Sequence, residues 1–244
     1  MTTVTGGTVA IDGDYTVRTF ETTDTLTVAD GTLTDVQYLL VAGGGNASLP
    51  QGTYVAGGGA GGVLTGNITI NTGSYPVIVG APGNNSSFLN MTANGGGQGG
   101  FYGNGFAGGS GGGGGTLGVT HINFQSFVGG LGVAGQGYNG GNPGGGGYPP
   151  FGPGGGGGAA GAGGQGTLDG CGGRGGVGIP SSITGNTVYY AAGGSGKGPA
   201  GIGNNSPGYT SYGAGGGYDM ADGPTYSNRL PAQPGVLIIR YLSV

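Results

Sequence analysis

Residues 95–115 read GGGQGGFYGNGFAGGSGGGGG. Most of the chain between residues 43 and 235 is written in the same style, so whether this stretch is a loose tether or a built element decides the fold. Taken in steps of three, Gln98, Phe101, Asn104, Ala107 and Ser110 fall in one row. The other two rows are glycine apart from Tyr102 and Phe106. A longer row runs from Pro153 through Gly156, Ala159, Ala162, Gln165, Leu168, Cys171, Arg174 and Val177 to Pro180. A period of three is neither helical nor that of a strand; it is the period of the left-handed polyproline II helix, whose backbone groups point outward without internal bonds. Where two faces of such a rod are bare glycine, neighbouring rods can approach until those groups bond across, as in a polyglycine II bundle. The alternative is a low-complexity glycine tract without fixed structure. Collagen does not fit, because the common triplet is GGX with runs of five glycines rather than one glycine per triplet.

Composition bears on that choice. The chain has 73 glycines in 244 residues, against a usual share of roughly 7%. Each glycine loses much backbone freedom on folding, which alone would favour disorder. Yet 34% of the chain is hydrophobic, with 14 Tyr and 7 Phe, and only 6% is charged, the reverse of a disordered composition. No Asp, Glu, Lys or Arg occurs between Asp35 and Asp169, where a solvated linker would carry charge or serine. Order through packing is the expectation.

The flanks differ. TVAI, YTVRTF, TLTV and VQYLLVA, separated by DGD and ADG, read as strands and turns over residues 8–42. VLTGNITI, NTGS and YPVIVG make a further pair over 63–80, and PGVLIIRYLSV closes the sequence. The expected fold is all-β with almost no helix. Residues 1–42, 63–80 and 235–244 form a small sandwich or sheet in which the two terminal segments pair, and 43–62 with 81–234 form the glycine bundle.

The net charge is −4 without a basic run, so nucleic acid is not an expected partner. Cys171 is the sole cysteine and cannot form an intrachain disulfide. The start lacks the basic and apolar regions of a signal peptide, and no apolar run reaches the length of a membrane span. Catalytic motifs are weak. Gly103, Gly105 and Gly108 match G-x-G-x-x-G without the strand, helix or acidic partner that such a motif needs. GGSGKG around Lys197 has Gly198 where a magnesium-binding hydroxyl belongs. His121 is the only histidine, which disfavours a metal cluster or a Ser-His-Asp triad. Ser195 reads as turn chemistry, Arg174 as a surface residue and Cys171 as a small hydrophobe. No enzyme activity, cofactor or metal is expected.

Aromatic residues break the repeat in four places: Phe101, Tyr102 and Phe106; Phe124 and Phe127, beside His121; Tyr148 and Phe151; and Tyr209, Tyr212 and Tyr218. Tyr with Gly, Ser and Asn is the palette of adaptable binding loops. The same rings could instead cap the rods and seal a thin core.

VQYLLVAGGG, GAGGVLTGNITINTGSYPVIVGAPG and PGVLIIRY, joined by glycine tracts, together resemble the glycine-rich domain family common in bacteriophage tail fibres and virion appendages. The middle is similar in style to the polyglycine II distal tail-fibre adhesins of T-even-type phages. The resemblance implies a virion protein that contacts other virion proteins and binds a host surface glycan or outer-membrane protein through its aromatic loops, with oligomers possible. Two alternatives remain: a decoration or fibre building block without receptor binding, and an ice-binding protein. Ice binding needs a regular row of small residues, and Gln165, Leu168 and Arg174 interrupt this one.

Overall fold

The computed structural model describes residues 2–49, 54–116, 127–145, 151–219 and 228–243. Among these there is no helix. The strands are β1 (Val4–Thr5), β2 (Thr8–Asp12), β3 (Tyr15–Phe20), β4 (Asp24–Val28), β5 (Leu33–Val41), β6 (Val63–Ile70), β7 (Gly73–Ile78), β8 (Ser86–Phe88) and β9 (Met91–Ala93), followed by β10 (Ile179–Ser181), β11 (Val188–Tyr190), β12 (Lys197–Gly198), β13 (Gly201–Ile202), β14 (Gly217–Asp219), β15 (Asn228–Leu230) and β16 (Val236–Leu242). Two five-stranded antiparallel sheets dominate, ordered β2-β3-β16-β5-β6 and β1-β4-β7-β8-β9. The remaining strands form two-stranded ribbons within the glycine-rich part.

The C-terminal strand inserts between β3 and β5, with Leu237 opposite both Phe20 and Leu40. VQYLLVA and VLIIRYL are therefore neighbours in one sheet, as their apolar content predicts. Residues 86–93, which the sequence reading placed with the glycine segments, instead add β8 and β9 to the second sheet. The ladder of β5 and β6 is interrupted between Leu33 and Val36, where Asp35 adopts φ 53. Asp tolerates this left-handed bulge geometry better than most residues.

Alternation explains the layers. On β4, Leu26 and Val28 are buried while Thr25 and Thr27 face outward. On β16 both parities are buried. Leu237, Ile239 and Tyr241 join Phe20, Leu26, Val77 and Phe88 between the two sheets. Val236 and Ile238 face the other way and join Val17, Val41, Ala60, Tyr190 and Ala191. A strand covered on both faces reads as a continuous apolar run, which accounts for VLII. The sheet containing β16 is thus the middle layer, with the second sheet on one side and the glycine-rich layer on the other.

That third layer is held by its backbone. Residues 57–62 donate in rotation to three neighbouring segments: Gly57 and Ala60 to Gly154 and Gly157, Gly58 and Gly61 to Gly216 and Gly213, Gly59 and Gly62 to Gly97 and Asn94, all at 2.8–3.1 Å. Their carbonyls accept from three more segments, through Ala42 and Gly45, through Ser110 and Gly113, and through Gly194. Each partner advances or recedes by three residues, so the bonding direction turns by a third of a circle per residue. A strand alternates between two neighbours and a helix bonds to itself; this segment does neither. Residues 154–159 repeat the scheme, donating to Gly114 and Gly111, to Gly164 and Gly161, and to Gly194 and Ala191. Pro153, which has no N–H, stands one period before Gly156 and costs that row its donor.

Side chains do not fit between these segments. A Cβ on Gly57 would lie 1.9 Å from Gly194 O, and one on Gly156 would lie 1.9 Å from Gly58 O. Two details differ from the sequence reading. Residues 95–115 are not a single edge rod. Gly97 and Gly100 donate to Ser110 and Gly113, so the two ends of the stretch run parallel, and the segment between them bonds to both through Phe106. Gln98, Phe101, Asn104 and Ala107 are exposed, but Ser110 is fully buried. The row from Pro153 to Pro180 likewise folds back twice, where Gly158 donates to Gly161 and Thr167 to Cys171. Its phase survives both reversals, so Ala162, Gln165, Leu168, Arg174 and Val177 remain exposed while Gly172, Gly173, Gly175 and Gly176 are buried.

Candidate functional site

Segments 42–48 and 56–62 continue directly from β5 and into β6, so their paired ends at Ser48 and Ala56 lie toward the side of the glycine layer away from the sandwich. Gly57, Gly113 and Gly100 share that level through the chain of bonds from Gly100 to Gly113 to Gly57. Just beyond it, Phe101 and Tyr102 are exposed with ring centroids 4.5 Å apart at a tilt of 41°. Tyr102 holds φ 45, a conformation costly for a bulky residue. Such strain persists only where the surroundings impose it.

The two rings border a cleft whose other walls are Ser48, Tyr54, Ala56, Thr116 and Pro153. Its volume is about 10 Å³, room for no more than a water molecule. Any larger ligand would rest on the rim. The Tyr54 hydroxyl is pushed above the usual phenol range by burial and by the neighbouring Tyr102. Thr116 is buried, and its Oγ1 has no hydrogen-bond partner among the described residues. The Ser48 hydroxyl is committed, accepting from Ala56 N–H at 3.0 Å.

The structure divides the remaining aromatic candidates. Phe106 is 60% exposed, on the flank formed by the fold-back of 95–115. Phe127, Phe151 and Tyr209 are half-buried. Phe124, Tyr148 and His121 lie outside the described residues. Tyr212 and Tyr218, expected on a contact loop, pack against other parts of the chain. Tyr212 packs against the cluster of Val17, Val41 and Ile238 and donates to the Glu21 carboxylate, which raises its hydroxyl pKa to about 12 through burial first and the Glu21 bond and charge second. Tyr218 is buried with Ala47, Val55 and Ile202, and Lys197 Nζ stands 4.9 Å from its ring centre. Tyr54 and Thr116 were missed from sequence. The available signal was their position, each closing or opening a glycine run at the same end of the layer.

Residues weighed for chemistry have local roles. Ser195 is buried and its hydroxyl bonds to Asn204 O at 3.1 Å and Asn205 Oδ1 at 2.7 Å. Arg174 is exposed and its Nε donates to Ser206 Oγ at 3.2 Å. Cys171 N–H donates to Thr167 Oγ1 at 2.8 Å in a tight turn. Among the described residues no group of three or more His, Cys, Asp or Glu could hold a metal, and no helix is long and apolar enough to cross a membrane.

The glycine-rich domain family matches residues 19–242, from within β3 to the end of β16. This chain belongs to that family. No curated protein matches it. The match takes in β4 to β16 with the last two residues of β3, so it covers most of the sandwich as well as the glycine layer, while β1, β2 and the start of β3 precede it.

Proposed function

We propose that this glycine-rich domain is a non-enzymatic bacteriophage virion protein of the tail-fibre or appendage type. Its glycine layer is read as a polyglycine II array, and its far end as the surface that binds a host glycan or outer-membrane protein. The three-residue rotation of donors supports the polyglycine II reading. The exposed Phe101–Tyr102 pair, held at the end of the layer remote from the sandwich, carries the binding reading. Two tilted rings beside a Tyr hydroxyl offer faces for sugar rings or apolar grooves and a polar tip for hydroxyls. The virion setting rests on the resemblance of VQYLLVAGGG, GAGGVLTGNITINTGSYPVIVGAPG and PGVLIIRY to phage appendage proteins.

The test is attachment of the purified protein, or of phage carrying it, to host cells. Phe101→Ala with Tyr102→Ala should weaken attachment at least tenfold at an unchanged melting temperature, as expected for aromatic hot spots worth about 2 kcal/mol or more. Wild-type protein that does not attach would overturn the binding reading and favour a building block of the virion surface.

A further inference from the structure

The two edges of the middle sheet differ. At β6, the Val63 N–H is already taken by Gln136 O at 3.0 Å, and the exposed positions are Thr65, Asn67 and Thr69. At β2, Thr8 to Ile11 are all exposed, with Val9 54% and Ile11 67% accessible. β2 carries no Lys, no Pro and no bulge, the usual devices that blunt an edge.

The register fixes which groups stand free. Ser243 N–H donates to Asp14 O at 2.8 Å, in line with the pairing of Tyr241 with Thr16. Even-numbered residues of β3 therefore bond to β16, and Tyr15, Val17 and Thr19 bond to β2. Their partners there are Asp12, Ala10 and Thr8. The backbone N–H and C=O of Val9 and Ile11 point to the side of β2 that no other described strand occupies.

We propose that β2 is a self-pairing edge through which two copies of the chain join their middle sheets antiparallel, about a two-fold axis at Ala10. In that register Val9 faces Ile11 of the second copy, and Ile11 faces its Val9. All the outward N–H and C=O groups of these residues find partners across the axis. Val9 and Ile11 share one face, so the pairing gathers the four side chains into one apolar stripe. Thr8 meets Asp12, whose carboxylate is held in an ion pair by Arg240, so no unpaired charge is brought against the stripe. A second copy suits this edge better than an unrelated strand because the segment complements itself: TVAID read against its own reverse sets apolar opposite apolar and polar opposite polar. The inference is independent of what the far end binds.

Sedimentation equilibrium on the whole chain tests it. Wild type should show twice the monomer mass at high concentration. Val9→Pro removes one outward N–H and leaves the β3 ladder whole, and Ile11→Lys puts a charge in the stripe; both should be monomeric. Ala10→Cys in a Cys171→Ser background should form a covalent dimer on mild oxidation, because Cα atoms of a non-hydrogen-bonded antiparallel pair lie about 4.5 Å apart, within disulfide reach. Wild type that stays monomeric overturns the proposal, as does a dimer that survives both substitutions without cross-linking at residue 10. If Val9→Pro fails to fold, Ile11→Lys and the cross-link decide.

Discussion

The sandwich and the glycine layer solve the same problem in opposite ways. In the sandwich, Phe20, Leu26, Phe88 and Leu237 meet between two sheets, and their burial is the driving term. In the glycine layer the enclosed segment 57–62 has only the Ala60 methyl to bury, and it is held by bonds from its own backbone to the segments around it. The comparison teaches that a β-carbon is the unit of stability in one region and the obstacle in the other. It also explains why the molecule needs both. Glycine carries a high entropic cost on ordering, and the layer begins where β5 and β6 have already fixed its first turns.

The largest expected effect lies at the seam. Deleting residues 236–244 removes the strand that pairs with β3 and β5 and covers both apolar faces, so no soluble folded protein should be recovered. A soluble product with wild-type circular dichroism would show that the glycine layer stands without the sandwich. Next, a methyl removed and a methyl added should both hurt, each in its own region. Leu237→Ala should cost about 2–5 kcal/mol as a buried large-to-small change. Gly156→Ala, innocuous in most loops, should cost a comparable amount by forcing Gly58 O away, since several inter-segment bonds worth about 0.5–1.5 kcal/mol each would be lost. Denaturant titration of the two variants measures the contrast, and a near-neutral Gly156→Ala would refute close packing in the layer.

A smaller effect joins the two regions. Tyr212 donates to Glu21 and ionises only near pH 12, above the usual phenol value of about 10. The folded state thus holds the proton that the unfolded state releases first. The stabilisation is whole below about pH 10 and is lost as pH rises through the folded value. Tyr212→Phe should flatten that part of the stability profile, read from melting temperatures between pH 9 and 12. The smallest effect is expected at Arg174, whose side chain is exposed while Gly172 two residues earlier is buried. Arg174→Ala should change stability within about 0.5 kcal/mol, whereas Gly172→Val should destabilise severely, because even a Cβ there would lie 2.1 Å from Gly196 O. Equal melting shifts would undo the assignment of rows to faces.

The sequence by itself determined the strands of the two flanks and of residues 63–80, the pairing of VQYLLVA with VLIIRYL and the period of three, but not β8 to β15. Each is a local pattern: alternation, apolar runs and the spacing of non-glycine residues all follow from geometry repeated along the chain. It also marked Gln98, Phe101, Leu168 and Arg174 as outward, since they could not sit where backbones touch, but not Ser110, Pro153 and Gly156, which share their rows and are buried. Only the tertiary structure decided where the chain reverses, at Gly158–Gly161 and at Thr167–Cys171, because a glycine run offers the same backbone at every step and nothing local marks its end. Only it sorted the rings, burying Tyr218 beside Val55, tying Tyr212 to Glu21 and leaving Phe101 and Tyr102 displayed beside Tyr54. A tyrosine in a glycine context is equally suited to capping and to contact, and its role is set by which distant segment arrives next to it.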